Sequence, residues 1–107
     1  MTPLIIGTNG SVAAINPETG KIIWETSLST GAILSATNYQ DISVLVRGDV
    51  VFAGGAGHLF CLDAQSGKIL WHNSLEGFGH NDISLAMDGV SVQFLTKVER
   101  ANRGTIN

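Results

Sequence analysis

Ala14-Ile15-Asn16-Pro17-Glu18-Thr19-Gly20-Lys21-Ile22-Ile23-Trp24 is followed, 47 residues on, by Cys61-Leu62-Asp63-Ala64-Gln65-Ser66-Gly67-Lys68-Ile69-Leu70-Trp71. Gly, Lys and Trp hold the same places in both copies. A small residue opens each, an Asn or Asp sits third, and a Thr or Ser precedes the Gly. An internal repeat of about 40–50 residues is the mark of a blade or solenoid architecture.

The flanks of each copy read as short strands joined by tight turns. Residues 4–8 form an apolar strand, and Asn9-Gly10 is the strongest two-residue hairpin signal, because both residues accept positive φ. Residues 11–15 return. Asn16 to Gly20 is a turn in which Pro17 presets φ and Gly20 supplies the left-handed exit. Residues 21–28 make a third strand. A loop of small and polar residues, 29–40, carries the single tyrosine, Tyr39.

Strands at 42–46, 50–53, 58–62 and 68–75 repeat the scheme, with Gly54 to Gly57 as a flexible turn. Asp82 to Val90 echoes Asp41 to Asp49 at an offset of 41, so the first long loop exceeds its counterpart, 76–81, by six residues. Residues 91–98 suit a last strand and 99–107 a polar tail. No helical period is present. The unbroken apolar run Val50-Val51-Phe52-Ala53 fits a strand covered on both faces. Hairpin after hairpin at this repeat length predicts β-propeller blades, about two four-stranded antiparallel blades in an all-β chain. The expected organisation is one domain: repeat 1 at 1–40, repeat 2 at 41–81, a partial third repeat at 82–98 and the tail.

Composition narrows the function classes. Charged residues are 14% of the chain, against roughly 25% in ordinary soluble domains. A small domain needs polar groups to cover its surface. Their shortage predicts that part of this one is covered by other protein. The net charge of −3 provides no field for nucleic acid. Lys97, Arg100 and Arg103 gather near the C-terminus, where a solvated end is the common explanation. Cys61 is the only cysteine, so an intrachain disulfide is excluded. No stretch reaches the ~18 apolar residues of a membrane span. Residues 1–7 lack a secretory leader's basic region and apolar core, which predicts a cytoplasmic chain as written, and a periplasmic one if a leader was removed.

The pattern small-x-Asp-x-x-Thr-Gly-Lys-x-x-Trp resembles the tryptophan-docking repeat of pyrroloquinoline-quinone-type propellers. That family holds both quinoprotein alcohol dehydrogenases and the propeller lipoprotein of an outer-membrane assembly machine. The resemblance implies that Trp24 and Trp71 pack between blades, with Ala14 and Cys61 at the small docking position and Gly20 and Gly67 in the turns. Asn16 for Asp, Cys61 for Ala and Ser66 for Thr are mild departures. The repeat is structural in enzymes and non-enzymes alike. A quinoprotein dehydrogenase needs a full ring, a bound Ca²⁺ and a catalytic Asp, and its adjacent-cysteine disulfide cannot be made from Cys61 alone. No quinone or other cofactor, no metal and no catalytic residue is expected.

By the same resemblance the first blade begins at its second strand, residues 4–8, and its innermost strand comes from elsewhere, for instance residues 83–87 of another copy. Two blades leave an apolar face at each end, which favours association. A closed homo-oligomer, dimer to tetramer, is therefore expected, with a fragment of a longer propeller as the competitor. Strand alternation puts the Asn9-Gly10 and Ala56-Gly57 turns on one rim with both long loops. That rim gathers Asn38, Tyr39, His58, Phe78, His80, Asn81 and Asp82, a candidate surface for a protein or glycan. Ordinary loop chemistry is the commoner case. His58, His72 and His80 lack the spacing of a metal site, although with Asp82 they could converge in space. There is no Gly-x-Ser-x-Gly elbow and no phosphate loop. The expected function is a non-catalytic interaction module, with a lectin-like propeller as the alternative.

Overall fold

The computed structural model describes residues 2–28 and 41–92. Asn38, Tyr39 and the C-terminal basic residues lie outside them. The described chain is all-β, in three successive antiparallel sheets. The first contains β1 (Leu4–Thr8), β2 (Ser11–Ile15) and β3 (Ile22–Ser27), in that order. The second contains β4 (Ser43–Arg47), β5 (Val50–Gly55), β6 (His58–Asp63) and β7 (Ile69–Asn73). The third is a hairpin of β8 (Leu85–Met87) and β9 (Val90–Val92). These are blades of a propeller that does not close on itself. The first has three strands, the second four, and the third hairpin answers to β4 and β5. Within the chain, residues 85–87 of the segment expected to swap onto another copy pair as β8 with β9 across the Asp88-Gly89 turn.

Local chemistry explains why the two quoted stretches fold alike. Asn16 Oδ1 accepts the amides of Glu18 (2.9 Å) and Thr19 (3.4 Å), and Asp63 Oδ1 accepts those of Gln65 (2.7 Å) and Ser66 (3.2 Å). The Thr19 and Ser66 hydroxyls each accept the amide of the following Lys at 3.2 Å. The Gly amides then donate back to Asn16 O and Asp63 O. Asn replaces Asp, and Ser replaces Thr, without losing an acceptor. Each copy also carries a register shift, between Ala14 and Ile15 and between Cys61 and Leu62, which brings Trp24 opposite Ala14 and Trp71 opposite Cys61.

The core is the layer between the first two blades. Val12 and Leu28 come from the first, and Val51, Ala53, Phe60 and Leu62 from the second, with Ile42 at the join. Burying each large side chain of this kind contributes about 1.5–3 kcal/mol relative to exposure. Gly54 and Gly55, expected in a flexible turn, are buried residues of β5. Glycine is needed there for space. A Cβ on Gly54 would press on Ile83, one on Gly55 would meet Ile42, and one on Gly7 would meet Ile42 from the first blade. The two Asp-Ile-Ser triplets thus place Ile42 and Ile83 against glycines of the preceding blade. Ser43 Oγ donates to Ile83 O at 2.7 Å, joining the second blade to the third hairpin.

Candidate functional site

Two groups of residues stand apart from ordinary packing. The first is the seat of Trp24. Its indole Nε1 donates to Ala64 O of the next blade at 3.0 Å. Two residues along, Thr26 Oγ1 donates to Gly67 O at 2.6 Å. Gly67 is buried with φ of 77°, and a Cβ on it would enter the Trp24 ring. Ala14, fully buried, faces Trp24 across the strands.

At the other end the same parts lie open. Trp71 is 44% exposed and sits 6.2 Å from the Phe52 ring. With Leu45, Leu59, Leu85 and Met87 it lines an apolar cavity of about 250 Å³. Cys61 is buried beneath, and burial pushes its thiol pKa up. Gly20, the counterpart of Gly67, has φ of 78° and nothing within 4 Å of where a Cβ would stand. Ile6, Ala13, Ile15 and Ile22 line a second open face on the first blade.

The second group is on the rim. The Ala56-Gly57 turn takes positive φ at both residues, as Asn9-Gly10 does, although Ala56 has no side-chain polar group to favour it. The Gly57 amide donates to Asn81 O at 3.2 Å, and Gly57 lies against the Gly79 carbonyl. The loop after β7 is thereby laid over the start of β6. His58, only 4% exposed, hydrogen-bonds through Nδ1 to His72 Nε2 at 2.8 Å. The two rings stack at 5.0 Å, and His72 stacks on Phe60 at 4.5 Å. Burial first, then the positive potential of His72 and His80, holds the His58 pKa below the ordinary imidazole value. His58 and His80 share a cavity of about 450 Å³ with Glu76.

The expected rim is thus brought together only in part. His58, His80 and Asn81 meet around the turn. Phe78 is 79% exposed and Asp82 is exposed. Sequence reasoning left out His72 as a site residue, though β6 and β7 place it one diagonal step from His58, on the face of Phe60. The register of that hairpin was the available signal. Ala64 and Thr26 also went unnamed, since they act through one backbone carbonyl and one hydroxyl. Among the described residues no group of three or more His, Cys, Asp or Glu is placed to hold a metal ion. Nor is any described helix long and apolar enough to cross a membrane.

Comparison with known proteins gives a coherent match. The family model described as outer membrane protein assembly factor BamB matches residues 8–103. The chain is 38% identical over 76 residues to the outer membrane protein assembly factor BamB of Yersinia pestis, covering 67% of this chain and 19% of that protein. It is 31% identical over 105 residues to the Escherichia coli K12 protein of the same name, covering 94% of this chain and 26% of that one. The Moranella endobia protein is 32% identical over 81 residues, 72% of this chain and 21% of its own length. The chain therefore spans about a fifth to a quarter of the relatives it matches. The expectation of a cytoplasmic chain finds no support in relatives named for the outer membrane. It rested on residues 1–7, which are no guide when a chain covers so small a part of its relatives.

Proposed function

The chain belongs to the family described as outer membrane protein assembly factor BamB, and from that premise we propose that it is a non-catalytic propeller scaffold acting in the periplasm, where its rim binds protein partners during outer-membrane protein assembly. The observation that carries this reading is the seat of Trp24 on the Asp63–Gly67 turn. It joins one blade to the next through packing and two hydrogen bonds, and Trp71 holds the equivalent place in the second hairpin with its indole half open. The rim loop, with Phe78 exposed beside Asn81 and Asp82, is left to meet partners. A photo-crosslinking residue at Phe78, used in cells, should give an adduct with an outer-membrane assembly component identified by mass. The same residue at Glu18, on the opposite rim, should not. Equal labelling from both rims would overturn the reading.

The two ends of the array are complementary, Trp71 at one and the unfilled Gly20 turn at the other. Such head-to-tail surfaces make rings when the rotation closes. We propose that a homo-oligomeric ring forms in this way. A light-scattering mass that is a multiple of the chain mass supports it. A folded monomer at micromolar concentration would refute it and leave closure to further blades within one longer polypeptide. The exposed Phe78 beside amide and carboxylate groups also favours a lectin-like reading, which a glycan array without a hit would remove.

A further inference from the structure

We propose that the His58–His72 pair is a proton-operated latch that holds the loop of residues 74–81 on the β5–β6 turn at neutral pH and releases it in mild acid. The geometry carries this. His58 opens β6 directly after Gly57, whose amide and α-carbon are the two points where the loop is fastened, to Asn81 O and against Gly79. His72 is on β7, just before the same loop leaves the sheet. The 2.8 Å bond between the two rings therefore joins the loop's root to its landing point.

Proton counting explains the switching. Each neutral imidazole has one N–H, and one ring donates to the other. A first added proton goes to the donor ring, whose remaining N–H still reaches its neighbour as a charge-assisted bond. A second must go to the accepting nitrogen itself. That abolishes the bond and sets two cations against each other, one of them on the buried His58 and the other on the exposed His72. His58 faces His72 from β7, and His80 and Glu76 from the loop. β5 carries no titratable side chain. The face turned to it by the first blade, Ile5, Val12, Trp24, Thr26 and Leu28, carries none either. Two of the three groups facing His58 are themselves imidazoles and one is a carboxylate; two further carboxylates stand close in the chain, Asp82 directly after Asn81, and Asp41, whose carbonyl lies beside Gly55, the strand partner of His58.

Hydrogen exchange on the intact chain, corrected for intrinsic rates, tests the proposal. Protection of the Gly57 amide should fall at least about tenfold between about pH 7.5 and about pH 5. The backbone amides at the centre of β5 should keep theirs. His72→Gln should flatten that dependence to within about twofold, since one of the two cations can no longer form. If that variant does not fold, His80→Gln decides. Losing the His80 charge should move the release to higher pH. Protection of Gly57 that ignores pH in the parent chain, or an unshifted transition in His80→Gln, overturns the latch. A rise in melting temperature on adding Zn²⁺ at neutral pH, abolished by His72→Gln, would also overturn it, making the pair a metal site.

Discussion

Trp24 and Trp71 occupy equivalent places in equivalent hairpins, yet they differ in what covers them. Each lies opposite a small residue, Ala14 or Cys61, beside a register shift, and after a turn built from the same hydrogen bonds. Trp24 finds the Ala64 carbonyl and the bare α-carbon of Gly67. Trp71 finds a half-open apolar cavity. The hairpin therefore fixes where an indole points, and the next blade decides what that is worth. Stability in such arrays is a sum of blade and interface terms. Equivalent substitutions in the two repeats should separate those terms.

The largest contrast is at the glycines. Gly67→Ala puts a methyl group into the Trp24 ring and imposes a left-handed conformation on a residue with a Cβ. Overpacking costs about 1–3 kcal/mol and the backbone about 1–2 kcal/mol more, so a loss of about 3–4 kcal/mol is expected in urea unfolding. Gly20→Ala meets only the backbone term, about 1–2 kcal/mol. Equal losses would mean that the Trp24 seat adds nothing. The indoles come next. Trp24→Phe leaves the Ala64 carbonyl without its donor and removes packing, for about 2 kcal/mol, whereas Trp71→Phe should cost about 0.5 kcal/mol. The serines give a smaller contrast. Ser43→Ala removes the 2.7 Å bond to Ile83 O and should cost about 1 kcal/mol, while the exposed Ser84→Ala should fall within about 0.5 kcal/mol of neutral.

Legibility followed the same division. Turn chemistry is local, so the Asn9-Gly10 hairpin, the Asn16 and Asp63 turns and the strand order were readable from residue types. The apolar run in β5 predicted cover on both faces, and both faces have neighbours. Leu4-Ile5-Ile6 is as apolar, but its alternate residues are open, because nothing described lies beyond the first blade. What could not be read was non-local. The contacts of Ile42 with Gly7 and of Ile83 with Gly54 depend on how far one blade turns from the next. The His58–His72 bond depends on a one-residue shift in the β6–β7 register. Residue spacing suited to helical metal sites could not detect a diagonal across two strands.

The pH response of stability differs between the repeats as well. The folded His58 pKa lies below its unfolded value of about 6.5, so the unfolded chain binds the extra proton more readily. The stabilisation linked to neutral His58 is therefore complete above about pH 6.5 and lost as pH falls below it. The first repeat has Ser11 where the second has His58 and contributes no such slope. Urea midpoints measured from about pH 8 to about pH 5 should fall in the parent chain and less steeply in His58→Gln. Parallel curves would remove His58 as the source.

The smallest expected effect is on Cys61, and it reads the open end directly. The thiol lies on the same face of its sheet as Phe52 and Trp71, both of which pair with its neighbourhood across the strands. It is 4% exposed, and burial holds its pKa above the ordinary thiol value, which keeps the reactive thiolate scarce. A thiol-specific disulfide reagent should label it slowly in the folded chain. Trp71→Ala uncovers it and should raise the rate several-fold at a small cost in stability. Trp24→Ala, though far more destabilising, leaves that face intact and should raise the rate only as far as global unfolding accounts for. If the two variants label Cys61 in proportion to their stability losses, the thiol reports unfolding alone and the two ends of the array are not independent. If Trp71→Ala stands above that line, the indole is the lid of an interface that a further blade would cover.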